Sequence, residues 1–73
     1  ASTPIEYRLP QATHARIEIF NGQGQLVEVL KDGWHAGGSH VVSWDSGRRA
    51  TGTYFYRFST SGFNESRKML LVR

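Results

Sequence analysis

The residues of this chain best suited to acid–base or metal chemistry are His14, His35, His40 and Asp45. Imidazole is the commonest protein metal ligand and titrates nearest neutral pH, so such a set could in principle shuttle protons or hold a cation. The spacing argues against it. No pair follows the H-x₃-H or HExxH pattern that puts two ligands on one helical face. The sequence contains no cysteine, which removes both a thiolate zinc site and a disulfide framework. Serines and threonines are plentiful, but none stands in a Gly-x-Ser-x-Gly turn between a strand and a helix, the setting that exposes a nucleophile. The residues therefore describe a chain with no catalytic group, no cofactor and no metal.

Aromatic side chains form a second set: Trp34, Trp44, Tyr54, Phe55 and Tyr56. Exposed tryptophan and tyrosine rings stack on sugar faces, so a carbohydrate platform is one reading. Trp44, Tyr54 and Tyr56 fall on alternating positions that share one inward face, which assigns them to a core. Trp34, flanked by glycines in an expected loop, is left as the one candidate platform. The formal net charge is +3, and a basic balance can signal nucleic acid. Here the basic residues run from Arg8 to Arg73, and the only adjacent pairs are Arg48-Arg49 and Arg67-Lys68. A nucleic-acid surface concentrates its cations on one element with aromatics between them, so these cations read as a solvated surface.

The elements that must position these groups repeat with a period of two. Ile5-Glu6-Tyr7-Arg8-Leu9 alternates apolar and charged residues up to Pro10, which predicts a strand with Ile5, Tyr7 and Leu9 on one face. Ala15 to Phe20 alternates likewise and stops at Asn21-Gly22-Gln23-Gly24, whose residues tolerate positive φ; a hairpin follows, with Gln25 to Leu30 as its return strand. Lys31-Asp32-Gly33 reads as a second turn and Trp34 to Ser39 as a loop broken by glycines. His40 to Trp44 is a strand with His40, Val42 and Trp44 aligned. Asp45 to Gly52 is a polar connection. Thr53 to Phe58, aromatic at nearly every position, is the strongest strand of the chain. After a turn over Ser59 to Gly62, Phe63 to Val72 closes the sequence as a last strand.

Six or seven short strands with no helical period define an all-β protein, an antiparallel β-sandwich. With 73 residues and 38% apolar content there is material for one core, so residues 1–73 read as a single domain. No apolar run approaches the ~20 residues of a transmembrane helix.

Five blocks in order carry a likeness to a known family: Ile5 to Pro10, Ala15 to Asn21 with Gly24 to Val27, Gly38 to Asp45, Gly52 to Phe58, and Lys68 to Arg73. Together they resemble the C-terminal sorting domains of type IX secretion cargo and, equally, the related Ig-like module of the flagellar hook-capping protein. The resemblance spans nearly the whole chain. It implies an Ig-like sandwich of about seven strands at the C-terminus of a larger secreted or cell-surface protein of a Gram-negative-type bacterium. Such a domain is read by the outer-membrane secretion and sortase machinery, and it has no enzymatic role. The positions matching the family's regular residues are Gly24, Gly52, Tyr54, Lys68 and Arg73. The sequence lacks the family's proline- and asparagine-rich lead-in, and Thr3-Pro4 stands where a pair of hydroxyl residues is commoner, so the resemblance implies that Ala1 is a trimmed or processing boundary.

Each matched position also has a physical reason. Gly24 suits a turn with positive φ, Gly52 permits close backbone approach before the aromatic strand, and Tyr54 buries its ring while its hydroxyl finds a backbone acceptor. Lys68, Met69, Leu70, Leu71, Val72 and Arg73 form an edge strand on which a partner strand could add. Unpaired edges in so small a sandwich also leave room for a weak homodimer.

Overall fold

In the computed structural model, every residue is described except Ala1, Ser46, Arg48, Phe63, Val72 and Arg73. The described residues form six strands: β1 (Ser2–Leu9), β2 (Thr13–Asn21), β3 (Leu26–His35), β4 (Gly38–Asp45), β5 (Gly52–Thr60) and β6 (Asn64–Leu71). They build two antiparallel sheets, one of four strands in the order β3-β2-β5-β6 and one of two strands, β1-β4. This is a small β-sandwich, and a seventh strand has no counterpart among the described residues.

Alternation generates the core. On β1, Ile5 and Leu9 are buried while Glu6 and Arg8 are exposed; on β2, Ala15, Ile17 and Ile19 are buried. Trp44, Tyr54, Phe58 and Leu71 complete the buried set. The interior is arranged as two clusters. Ile5, Ile19, Trp44, Tyr54 and Leu71 form one, and Leu9, Ala15, Ile17 and Phe58 form the other. Leu30 and Val42 pack against both and join them. No buried side-chain nitrogen or oxygen among the described residues lacks a hydrogen-bond partner, as the cost of an unpaired buried polar group requires.

The first hairpin turns where its residues predict. Asn21 Oδ1 accepts from the amides of Gln23 and Gln25 at 2.9 and 3.0 Å, and Gly24 takes φ +83°, a conformation that costs a Cβ-bearing residue energy. The β3–β4 connection differs from expectation. Lys31-Asp32-Gly33 is no turn, and Trp34 and His35 are no loop, because β3 runs unbroken to His35 and β4 already begins at Gly38. Cross-strand pairing overrides the local turn preference: Arg16 donates to Asp32 Oδ2 at 2.8 Å, His14 Nε2 lies 3.0 Å from Asp32 Oδ1, and Gly33 stands opposite Ala15. Register shifts between Ile17 and Glu18, and between Ile19 and Phe20, absorb the misfit of the longer strand.

The turn is thus confined to Ala36 and Gly37. A Cβ on Gly37 would lie 3.1 Å from Gln11 Cα, so the tight backbone approach is found here, where the β3–β4 turn meets the β1–β2 connection. At Gly52, for which close approach was expected, a Cβ would meet nothing within 4 Å.

Candidate functional site

The four histidine and aspartate candidates do not converge. His14 lies on the outer face of the large sheet with Asp32, whereas His35 and His40 lie between the sheets, their ring centroids 5.6 Å apart in an edge-to-face contact. His40 Nε2 donates to the Ala36 carbonyl at 2.7 Å and His35 Nδ1 to the Gly33 carbonyl at 3.0 Å. Each ring thereby pins the backbone at the end of the sandwich. Asp45 is taken up locally, its Oδ1 accepting from the Gly47 amide at 3.0 Å. Among the described residues no group of three His, Cys, Asp or Glu could hold a metal ion.

Tyr7 completes the histidine cluster. Its ring stacks on His40 at 5.2 Å and tilts against Phe58 at 4.9 Å. Burial raises the Tyr7 phenol above its ordinary pKa, because ionisation would place a charge among these rings.

Tyr54 is buried, and its hydroxyl donates to the Ala50 carbonyl at 2.8 Å. A tyrosine near the start of a strand whose hydroxyl reaches back a few residues closes the preceding corner. Its ring also meets Trp44 at 5.2 Å, edge to face. The bond fixes the polar connection onto the first residues of β5.

At the opposite margin of the large sheet, β6 is an edge strand paired only with β5. Met69 stands opposite Tyr54 and is half-buried, and Leu71 stands opposite Gly52 and is buried. Lys68 and Leu70 point outward and are exposed, Leu70 at 71%. Val72 and Arg73 lie outside the described residues. Lys68 faces Phe55, and Phe55 faces Phe20. The outer face of the sheet thus carries a short apolar row that ends at the exposed Leu70 and Lys68.

Beside that row lies a charge ladder that period-two reasoning misses. Glu18 points to the solvent face yet is only 6% exposed, because Arg16 and Arg57 close over it. Arg16 Nε approaches Glu18 Oε2 at 3.2 Å, and Arg57 donates to Glu18 Oε1 through Nε at 3.1 Å and through a terminal nitrogen at 3.0 Å. The Arg57 guanidinium also lies 5.2 Å from the centroid of the Phe20 ring. One signal was present in the sequence: a single cation inside the most aromatic strand calls for a partner on the neighbouring strand.

Trp34 stands at the far end of the same face, 74% exposed and opposite His14. No helix among the described residues is long and apolar enough to cross a membrane. Comparison with protein-family models, with curated proteins and with solved structures finds no match to this chain.

Proposed function

We propose that this chain is a non-catalytic sorting and cell-surface attachment module at the C-terminal end of a larger secreted bacterial protein, recognised by the type IX secretion machinery. The observation that supports the reading best is the division of labour along β6. Met69 and Leu71 anchor the strand to the sandwich, while Lys68 and Leu70 stay outward on an edge. A receptor that reads a folded domain needs such a strip, because sheet edges and their flanking side chains are templates for partner strands. The Tyr54–Ala50 corner supports the same reading by holding the end of the sheet that carries the strip in one shape.

The test is a reporter fused ahead of the chain in a type IX-competent host. Lys68→Glu with Leu70→Asp alters the strip while leaving Met69 and Leu71 in place, and circular dichroism of the purified double variant reports whether the sandwich persists. Surface display of the reporter falls at least tenfold if the reading holds. Display at the parent level from a folded double variant, and from a fusion lacking residues 68–73, overturns it.

Trp34 favours a second reading, a carbohydrate-binding module. An indole 74% exposed on the outer sheet face, with His14 opposite and Asp32 two residues away on the same face, has the layout of a stacking platform with polar groups beside it. Retention on insoluble polysaccharide that is lost in Trp34→Ala supports that reading, and equal retention of the two proteins removes it.

A further inference from the structure

The turn of the first hairpin holds the only Asn-Gly pair of the sequence, Asn21-Gly22, and with it a covalent reaction that the chain can carry out on itself. Gly22 has no Cβ to hinder its main-chain nitrogen, so that nitrogen can attack Cγ of the Asn21 carboxamide. A C–N bond forms, the nitrogen's proton passes by way of water to the departing amine, and the Cγ–Nδ2 bond breaks to release ammonia. Water then opens the five-membered imide at either of its carbonyls, leaving aspartate or isoaspartate at position 21. Asn21 is half-buried and Gly22 exposed, so solvent reaches the site.

The fold withholds the geometry that ring closure needs. Cγ, Cβ, Cα, the Asn21 carbonyl carbon and the Gly22 nitrogen must come nearly into one plane, whereas Asn21 is the last residue of β2 and is paired with Tyr54 of β5. In an extended residue the following peptide group is rotated far out of that plane. Swinging it in would break the bond that the Gly24 amide donates to the Asn21 carbonyl at 3.0 Å, and the Asn21 amide is itself tied to the Gln25 carbonyl at 2.9 Å. The carboxamide is held too. Its Oδ1 accepts from the Gln23 and Gln25 amides, and its Nδ2 donates to Gln25 Oε1 at 2.8 Å. Both reacting groups are therefore fixed in the positions of the turn, away from those of the imide.

We infer that Asn21 is a modification site closed by the fold and opened by loss of the first hairpin turn, so that conversion to aspartate or isoaspartate marks chains that have been open there. The two products differ in consequence. Aspartate keeps the acceptors for the Gln23 and Gln25 amides and loses only the donor to Gln25 Oε1. Isoaspartate routes the main chain through Cβ and Cγ, which adds an atom to a turn whose closure at Gln25 has a fixed register; that product cannot rebuild the hairpin end. The inference is independent of the role proposed for β6.

The test follows the whole chain at neutral pH and physiological temperature by peptide mapping with mass spectrometry, which registers the exchange of amide for acid and separates the two products. Comparators are a synthetic peptide of residues 18–26 and the whole chain in denaturant; Asn64, exposed and followed by Glu65, is the internal control. Asn21 of the folded chain should convert at least about tenfold more slowly than in either comparator, because only the fraction with the turn open reacts. Gly24→Val, whose side chain opposes the φ of +83° at that position, should convert faster than the parent while circular dichroism still shows a folded chain. If that variant does not fold, Gln25→Ala, which removes the acceptor of Asn21 Nδ2, carries the same expectation. The purified isoaspartyl chain should unfold at lower denaturant than the parent and than Asn21→Asp. A folded-chain rate equal to or above the peptide's overturns the inference, and would mean that the two amides on Oδ1 act as an oxyanion hole. A folded turn variant no faster than the parent, or an isoaspartyl chain as stable as the parent, overturns it as well.

Discussion

Tyr54→Phe isolates one hydrogen bond in a core that otherwise stays intact. The ring is 7% exposed and keeps its edge-to-face contact with Trp44 in the variant, so only the 2.8 Å bond to the Ala50 carbonyl is lost. A typical intramolecular hydrogen bond contributes about 1 kcal/mol net. Ala50 is exposed, so its freed carbonyl takes up water and the further penalty for an unsatisfied acceptor does not arise. The expected destabilisation is therefore about 1 kcal/mol, which in a domain this small lowers Tm by about 4–8 °C. Tyr54→Leu loses the aromatic contact and leaves a void as well, and should cost about 2–4 kcal/mol. The assay is urea denaturation followed by tryptophan fluorescence in a Trp34→Phe background. Trp34 is 74% exposed and Trp44 is 1% exposed, so the remaining signal reports the core alone. A Tyr54→Phe midpoint equal to the parent's, beside a fully destabilised Tyr54→Leu, would refute the argument and reduce Tyr54 to a packing residue.

Alkaline pH should weaken the fold through Tyr7. Its phenol is held above the ordinary value of 10.0 in the folded state by burial, so the folded chain binds this proton more tightly than the unfolded one. The stabilisation is complete below about pH 10 and declines as pH rises through the folded-state pKa. Chemical denaturation across that range should show the decline in the parent and a shallower one in Tyr7→Phe; parallel profiles would contradict it. Gly37→Ala and Gly33→Ala should separate by sign or size. The first places a Cβ 3.1 Å from Gln11 Cα, against nothing within 4 Å for the second. Overpacking costs about 1–3 kcal/mol, whereas an unstrained Gly→Ala change stabilises by about 0.4–1 kcal/mol through the unfolded chain. Thermal unfolding of the two variants decides it, and equal Tm values would mean that the Gln11 backbone yields freely.

Much of the architecture is legible in alternation. Ile5 and Leu9, Ile17 and Ile19, and Trp44 are buried on the faces that period two assigns them, and Asn21 to Gly24 turn the chain where residues tolerant of positive φ cluster. Asp32 and Gly33 misled the local reading, since both favour turns, yet in the fold they are held in β3 by Arg16 and Ala15 from a strand sixteen or more positions earlier. The burial of Glu18 escaped for a related reason: the pattern assigns it to solvent, and Arg57 on β5, brought alongside by sheet order, joins Arg16 in covering it. Sheet order is a non-local property, because it is not encoded in the spacing of residues along one strand.

The order in which the strands pair has a kinetic consequence. β1 bonds only to β4, with Leu9 against Gly38 and Ser2 against Asp45, and β2 has its second neighbour only in β5. Each of these closures spans a long stretch of chain and must meet its loop entropy before any contact is gained, which places such topologies among the slow, millisecond-to-second folders. The two hairpins, β2–β3 and β5–β6, are local and can form first. Both long closures, β1 onto β4 and β2 onto β5, must follow the hairpins, so Ile5 and Leu9 stay in water until the chain has bridged such a span.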